Sequence, residues 1–162
     1  MSLRLNFLFI SFALLLHCGE VSKSDQKFEN NEKISLYLGL DGNEVKISDY
    51  KGKRVLVNYW ATWCTPCLKE MPSMEKAQEA LKNENYVFLF ATTDNLDKIK
   101  NFQQNKSYNF NFLQYQGTLD KLDIYALPAT FIYNSKGEMA KRIDGATEWD
   151  AEEILDQLRD IP

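Results

Sequence analysis

Two cysteines separated by two residues, Cys64 and Cys67, are the side chains of this chain best suited to covalent chemistry. Two thiols at this spacing can close a small disulfide ring or supply two ligands to a metal ion. The chain has 3 cysteines and 1 histidine, and that histidine lies far away at position 17. Because a zinc site needs four ligands, this inventory favours redox chemistry and predicts no metal site.

The cysteine pair follows a predicted strand and opens a predicted helix. Residues 54–60 form a short apolar run rich in β-branched and aromatic side chains, typical of a strand buried on both faces. Beyond the pair, apolar residues recur at steps of three and four, as on one face of a helix: Cys67, Met71, Met74, Ala77 and Leu81. Cys64 is therefore predicted at a helix N-terminus, where unpaired N–H groups and the helix dipole stabilise a thiolate.

This placement predicts unequal roles for the two thiols. Cys64 is the predicted nucleophile. Cys67 lies one turn into the helix and is the predicted resolving thiol, which attacks the mixed disulfide formed at Cys64. Pro66 falls in the first helical turn, where the missing N–H of proline has little cost. The alternative is that both cysteines are buried apolar residues or form a passive disulfide.

On these residues the chain resembles the thioredoxin fold, and more closely the TlpA/ResA-like branch of exported, membrane-tethered thiol-disulfide oxidoreductases. The matching residues are 60–67 (WATWCTPC), 69–72 (KEMP) and 127–131 (LPATF), within a resemblance that covers about 33–160. It implies an α/β fold, a thioredoxin-like three-layer sandwich. In that fold a mixed central sheet is flanked by helices, with an N-terminal hairpin and an insert before a cis-proline.

The resemblance also implies substrate-binding residues. A cis bond is expected between Leu127 and Pro128, which would face the cysteine pair, and the backbone of Leu127 would pair with an extended substrate chain. Trp63, Thr65 and Pro66 would complete the substrate-binding rim around the cysteines.

A proton acceptor is expected at Glu70. Asn58, in the predicted central strand, stands where thioredoxin itself has a buried acid, and an asparagine cannot accept the proton that Cys67 must release. Glu70 follows Cys67 by three residues on the same side of the helix, and the branch that the chain resembles has an acid there. The alternative is an exposed glutamate that only interacts favourably with the helix dipole.

Hydrophobic patterns predict the other elements. Asp41-Gly42 predicts a tight turn between strands at 34–40 and 44–47. Residues 86–92 predict a second buried strand, followed by a helix capped by Asp94. The remaining predictions are an extra strand in the aromatic segment 105–117, a short helix marked by Leu119, Leu122 and Tyr125, a hairpin of 129–133 with 138–144, and a final helix over 148–158.

The N-terminal residues predict export. Residues 1–17 are interpreted as a signal peptide, because Arg4 is followed by an apolar run too short to span a bilayer comfortably. Residues 15–18 (LLHC) resemble a bacterial lipobox with Cys18 as the lipid anchor, although His17 occupies a position where a small residue is usual. An uncleaved anchor and cleavage elsewhere are the alternatives. Residues 18–32 are a predicted flexible tether, and 33–162 are the predicted thioredoxin-like domain.

Composition limits the classes of partner. The chain has 162 residues with 44% hydrophobic content, which suits one domain with a full core. Its net charge of −4 offers no basic surface for nucleic acid. A peroxidase is disfavoured, because the chain lacks a P-x-x-x-T-x-x-C arrangement around the cysteines.

The leading hypothesis is an extracytoplasmic thiol-disulfide oxidoreductase, anchored at the periplasmic side of a membrane, that reduces specific protein disulfides. The electrons reside on the dithiol, so no dissociable cofactor is expected. A membrane electron donor would reduce the pair again, and the protein is expected to be a monomer. The resemblance implies apocytochrome c as one substrate class. Two alternatives stay open: a disulfide donor, and a non-catalytic thioredoxin-fold lipoprotein that binds a partner or delivers a metal such as copper.

Overall fold

The computed structural model describes residues 37–162, which contain seven strands and three α-helices. The strands are β1 Tyr37–Gly39, β2 Glu44–Val45, β3 Arg54–Tyr59, β4 Tyr86–Thr92, β5 Asn111–Tyr115, β6 Ala129–Tyr133 and β7 Met139–Asp144. The α-helices are α1 Thr65–Ala80, α2 Leu96–Asn105 and α3 Glu152–Arg159, and 3-10 helices cover Ile47–Tyr50 and Leu119–Leu122.

The strands form one mixed sheet in the order β2-β1-β5-β4-β3-β6-β7. β3, β4 and β5 run parallel to one another, and the other pairs are antiparallel. Tyr59, at the end of β3, pairs with Ala129, at the start of β6. The turn that follows β3 and the residue that precedes β6 therefore lie at the same edge of the sheet, which brings the cysteine pair and Pro128 to that edge.

Alternating side chains of the strands fill two apolar clusters, one on each face of the sheet. Leu56 of β3 belongs to the cluster that also receives buried residues of all three α-helices, and this cluster contains both cysteines. Val55 and Val57 point to the opposite face, where the two 3-10 helices cover the sheet. The predicted α/β architecture with a mixed sheet is confirmed, as are the N-terminal hairpin and the extra strand β5.

Three local predictions were wrong. Asn95, not Asp94, caps α2, because the Asn95 side chain accepts the N–H of Lys98 at 2.9 Å. The short helix marked by Leu119, Leu122 and Tyr125 ends at Leu122, so Tyr125 lies outside it and is 82% exposed. The final helix begins at Glu152, four residues later than its pattern predicts.

The predicted signal peptide, the lipid anchor at Cys18 and the tether lie outside the described residues, as do residues 33–36 of the predicted domain. Within residues 37–162, no helix has both the length and the apolar composition needed to cross a bilayer.

Candidate active site

Cys64 and Cys67 are joined by a disulfide at the N-terminus of α1. Cys64 is the N-cap residue, and its Sγ accepts a hydrogen bond from the backbone N–H of Cys67 at 3.3 Å. N–H groups in the first turn of a helix have no partner within the helix, so this N–H is available to a negatively charged sulfur. The structure shows the pair in its oxidised state. After reduction, the N–H of Cys67 would stabilise a thiolate at Cys64.

The two sulfurs differ in their surroundings. Both cysteines are buried in the apolar cluster beneath the helix, Cys67 at 1% and Cys64 at 4% exposure, but Cys64 lies between exposed neighbours. Trp63 on one side of Cys64 is 72% exposed, and Thr65 and Pro66 on the other side are exposed as well. Of the two cysteines, Cys64 is therefore the one flanked by exposed residues on both sides.

The loop before Cys64 is held by the strand next to β3. The N–H of Thr62 donates to Oδ2 of Asp94 at 2.9 Å, and Asp94 follows the end of β4. Because β3 and β4 are parallel, their carboxyl ends meet at one sheet edge and the carboxylate reaches the loop. Sequence reasoning assigned Asp94 to helix capping and missed this contact; its position directly after a parallel strand was the available signal.

The Leu127–Pro128 peptide bond is cis, as the resemblance implies. Pro128 is buried, and its carbonyl accepts the N–H of Gly145 at 2.9 Å. Within residues 37–162, the N–H and C=O of Leu127 have no hydrogen-bond partner. A groove of about 240 Å³ runs beside this bond, lined by Asp123, Tyr125, Ala126, Leu127, Pro128, Arg142, Asp144 and Gly145. An extended chain in this groove would find an unsatisfied backbone at Leu127.

Glu70 is buried beneath the disulfide-bearing turn, on the same helix. Its side chain is 5% exposed, so the interpretation as an exposed glutamate is wrong. Oε1 accepts the Asn58 amide at 2.9 Å, and Oε2 accepts the Thr147 N–H and the Trp149 indole N–H at 3.0 Å each. The Asn58 amide also donates to Oγ1 of Thr130 at 2.9 Å, which joins the carboxylate to the strand that begins after Pro128.

Burial raises the pKa of Glu70 above the ordinary glutamate value, and the hydrogen bonds from Trp149, Thr147 and Asn58 oppose that rise. The net pKa is higher than usual, so this carboxylate holds a proton more readily than an exposed glutamate does. A raised pKa brings a carboxyl group closer to the range in which general bases work.

Trp149 and Thr147 were not predicted as site residues. They lie in the connection from β7 to α3, 79 and 77 residues after Glu70, and no local pattern links them to it. Residues 37–162 contain no group of three or more His, Cys, Asp and Glu side chains placed to hold a metal ion.

Residues 25–142 match the model of the AhpC/TSA family. The chain is 37% identical to the thiol-disulfide oxidoreductase ResA of Bacillus subtilis over 109 residues, which cover 65% of this chain and 60% of that protein. It is 30% identical to ResA of Bacillus cereus (strain ATCC 10987) over 153 residues, which cover 90% of this chain and 86% of that protein.

Solved structures show the same fold. A putative thiol:disulfide interchange protein DsbE of Chlorobium tepidum matches with a TM-score of 0.69 at 22% identity, over 79% of this chain and 93% of that chain. The pneumococcal exposed lipoprotein thioredoxin of Streptococcus pneumoniae matches with a TM-score of 0.63 at 26% identity, over 76% of this chain and 96% of that chain. With its cysteine pair at the helix N-terminus, the chain belongs to the AhpC/TSA thioredoxin-fold family and is a thiol-disulfide oxidoreductase.

Proposed function

We propose that this thiol-disulfide oxidoreductase works outside the cytoplasm as a reductant of specific protein disulfides. The observation that carries the proposal is the Cys64–Cys67 pair itself, with Cys64 as N-cap among exposed residues and Cys67 buried one turn below. This asymmetry suits a pair in which one thiol attacks and the other resolves.

In the first step the Cys64 thiolate attacks one sulfur of a substrate disulfide. A bond forms between Cys64 Sγ and that sulfur, the substrate S–S bond breaks, and its electron pair leaves on the second substrate sulfur. The N–H of Cys67, which contacts Cys64 Sγ at 3.3 Å, stabilises the attacking thiolate. The product is a mixed disulfide at Cys64 and one free substrate thiolate.

In the second step Cys67 resolves the mixed disulfide. Its thiol transfers a proton to the Glu70 carboxylate, and the Cys67 thiolate attacks Cys64 Sγ, so the substrate leaves with both sulfurs reduced. The substrate thiolates take up the protons that the two protein thiols released. Two electrons pass from the protein dithiol to the substrate, and the protein is left with the Cys64–Cys67 disulfide.

Substrate would bind across the edge that carries both motifs. The unpaired backbone of Leu127 would pair with the chain flanking the substrate cysteine, beside the buried Pro128. Trp63, Thr65 and Pro66 would contact the substrate from the other side, because all three are exposed next to Cys64.

Several features support the finer points of the proposal. The pattern at residues 1–18 favours export and a lipid anchor at Cys18, and a similar solved structure is described as an exposed lipoprotein thioredoxin. A membrane protein with a reactive dithiol would supply two electrons after each cycle and so reduce the Cys64–Cys67 disulfide again. Apocytochrome c, before haem attachment, is a proposed substrate class, and the working form is a proposed monomer.

The reduction potential of the Cys64–Cys67 pair tests the direction of electron flow. Equilibration of the full chain with dithiothreitol or glutathione buffers, followed by thiol counting, gives this potential. We expect a value below about −200 mV, nearer to thioredoxin at about −270 mV than to the oxidant DsbA at about −120 mV. A value near that of DsbA would instead make the protein a disulfide donor.

Mass spectrometry of the mature N-terminus tests lipidation of Cys18.

A further inference from the structure

Two of the hydrogen bonds that Glu70 accepts come from one distant segment, residues 147–150, between β7 and α3. Oε2 of Glu70 accepts the backbone N–H of Thr147 and the indole N–H of Trp149, each at 3.0 Å. Trp149 is 0% exposed and packs in the same apolar cluster as Cys67. The indole therefore reaches the carboxylate from within the core.

The same segment is fixed to α1 on both sides of the indole contact. Oγ of Ser73 accepts the backbone N–H of Trp149 at 3.1 Å and donates to the carbonyl of Glu70 at 2.8 Å. Nζ of Lys76 lies 2.7 Å from Oδ2 of Asp150. Glu70, Ser73 and Lys76 recur every three residues and share one face of the helix. Their contacts hold the indole in register with the carboxylate.

We propose that Trp149 is a positioning residue for thiol-disulfide exchange, whose indole N–H orients the Glu70 carboxylate and keeps it ionised until Cys67 releases its proton. This inference rests on the proposed role of Glu70 as the proton acceptor.

The physical reason is that a buried carboxylate without donors takes up a proton and can no longer act as a base. Burial is the largest influence on the pKa of Glu70 and raises it, and the indole hydrogen bond is the largest influence in the opposite direction. An indole N–H can donate but cannot accept, so it favours the carboxylate over the neutral acid. Trp149 thus limits the rise in the Glu70 pKa that burial would otherwise cause.

The groups that face Glu70 are mostly uncharged. Asn58 of β3 donates from the sheet, and the backbone of Thr147 donates from the distant segment. Two charged side chains, Lys69 and Glu148, line with Glu70 a cavity of about 140 Å³, and they carry opposite charges. Removing the Trp149 indole therefore tests how one uncharged side-chain donor changes the pKa of Glu70.

The test is a titration of Glu70 in the oxidised full chain, where Cys64 and Cys67 do not titrate. Glutamate side-chain carboxyl signals are followed by ¹³C NMR, and Glu70→Gln identifies the signal of Glu70. Trp149→Phe removes the donor and keeps an aromatic ring. We expect its Glu70 pKa to rise by about one unit, because a hydrogen bond to a charged group has about that strength.

Trp60→Phe is the matched control. Trp60 is equally buried, but its Nε1 has no hydrogen-bond partner within residues 37–162, so its loss should leave the pKa of Glu70 unchanged. If Trp149→Phe does not fold, benzothienylalanine at position 149 replaces the N–H with sulfur and keeps the shape of the side chain. A Glu70 pKa that is unchanged in a folded Trp149 variant would overturn the inference.

The pH dependence of the resolution step separates this inference from the proposed function. In reduced Trp149→Phe, the pH profile of the rate at which Cys67 resolves a mixed disulfide should shift to higher pH by the same amount as the Glu70 pKa. An unchanged Glu70 pKa, together with slow resolution in Glu70→Gln, would overturn the role of Trp149 and leave the role of Glu70 intact. A shifted pKa with an unchanged rate profile would instead remove Glu70 from the reaction and the positioning role of Trp149 with it.

Discussion

The amide nitrogen of Asn58 lies 2.9 Å from Oε1 of Glu70 and joins the central strand to the helix that carries both cysteines. A carboxylate can only accept hydrogen bonds, so the Asn58 amide must present its NH₂ group to it. The same NH₂ group donates to Thr130 on the neighbouring strand. The chain thus keeps a buried acid at its active site but carries it on the helix, with an asparagine on the strand to hold it.

Replacing Glu70 by glutamine should slow the resolution of mixed disulfides by about 100-fold near neutral pH, the range typical for loss of a general base. The introduced glutamine can still accept from Thr147 and Trp149 through its carbonyl oxygen, and Asn58 can rotate its amide to accept from the new NH₂ group. The fold should therefore persist. Stopped-flow measurement of substrate release across pH 5–9 checks the rate.

Glu75→Gln is the control for this prediction, because Glu75 lies exposed on the same helix. It should leave the rate and its pH profile unchanged. Equal profiles for wild type and Glu70→Gln would remove Glu70 from the mechanism.

The raised pKa of Glu70 also predicts how stability depends on pH. The folded protein binds a proton at Glu70 more tightly than the unfolded chain does, so folding is favoured where the group is protonated. Relative to Glu70→Gln, the free energy of unfolding of the wild type should fall as pH rises from the ordinary value of 4.5 to the raised value. The fall is at most about 1.4 kcal/mol per pH unit.

Urea denaturation of both oxidised proteins between pH 4 and pH 8 checks this difference. A difference that rises with pH, or stays constant, would show that the environment of Glu70 does not raise its pKa.

Asp94→Ala should destabilise the oxidised protein by about 1–2 kcal/mol, because the N–H of Thr62 loses its acceptor in a partly buried loop. Asp94→Asn keeps an oxygen at that position and should retain most of the stability. Asp97→Ala, in the exposed first turn of α2, is the control for a lost negative charge near the same helix. Equal thermal midpoints for the two alanine variants would mean that the Thr62 contact contributes nothing.

Trp63→Ala should change the free energy of unfolding by no more than about 0.5 kcal/mol, because the side chain is 72% exposed. If Trp63 contacts the substrate chain, kcat/KM toward a protein disulfide should fall about tenfold, while the rate toward a small disulfide such as dithiobisnitrobenzoate stays the same. Met139→Ala, another exposed apolar side chain, is the control and should change neither rate. Parallel losses toward both substrates would place Trp63 in the chemistry instead of recognition.

Local patterns predicted the elements that carry the cysteines. Residues 54–60 have the composition of a buried strand, and the residues from Cys67 onward have helical periodicity. The structure has β3 at Arg54–Tyr59 and α1 at Thr65–Ala80. The burial of Cys67 follows from that periodicity, because Cys67 shares a helix face with the buried Met71 and Met74. The cis bond at Pro128 came from the resemblance alone, since nothing in the local sequence distinguishes a cis from a trans bond.

The sequence analysis did not predict the long-range hydrogen bonds of the site. Asp94 precedes a helix and is a residue type common at helix N-caps, which favours the capping interpretation. Its bond to Thr62 depends instead on the parallel pairing of β3 and β4. The Trp149 indole reaches Glu70 only because the final connection folds back over α1. Tyr125 fits a helical pattern, but the 3-10 helix ends at Leu122 and leaves its ring in solvent.

The central claim is that Cys64 attacks a substrate disulfide and Cys67 resolves the product. Reduced Cys67→Ser is mixed with insulin as the disulfide probe, and the adduct is located by peptide mapping and mass spectrometry. The account predicts a mixed disulfide that forms at Cys64, persists because the resolving thiol is absent, and is released by dithiothreitol. The absence of an adduct at Cys64, or a stronger adduct at Cys67 in Cys64→Ser, would contradict it.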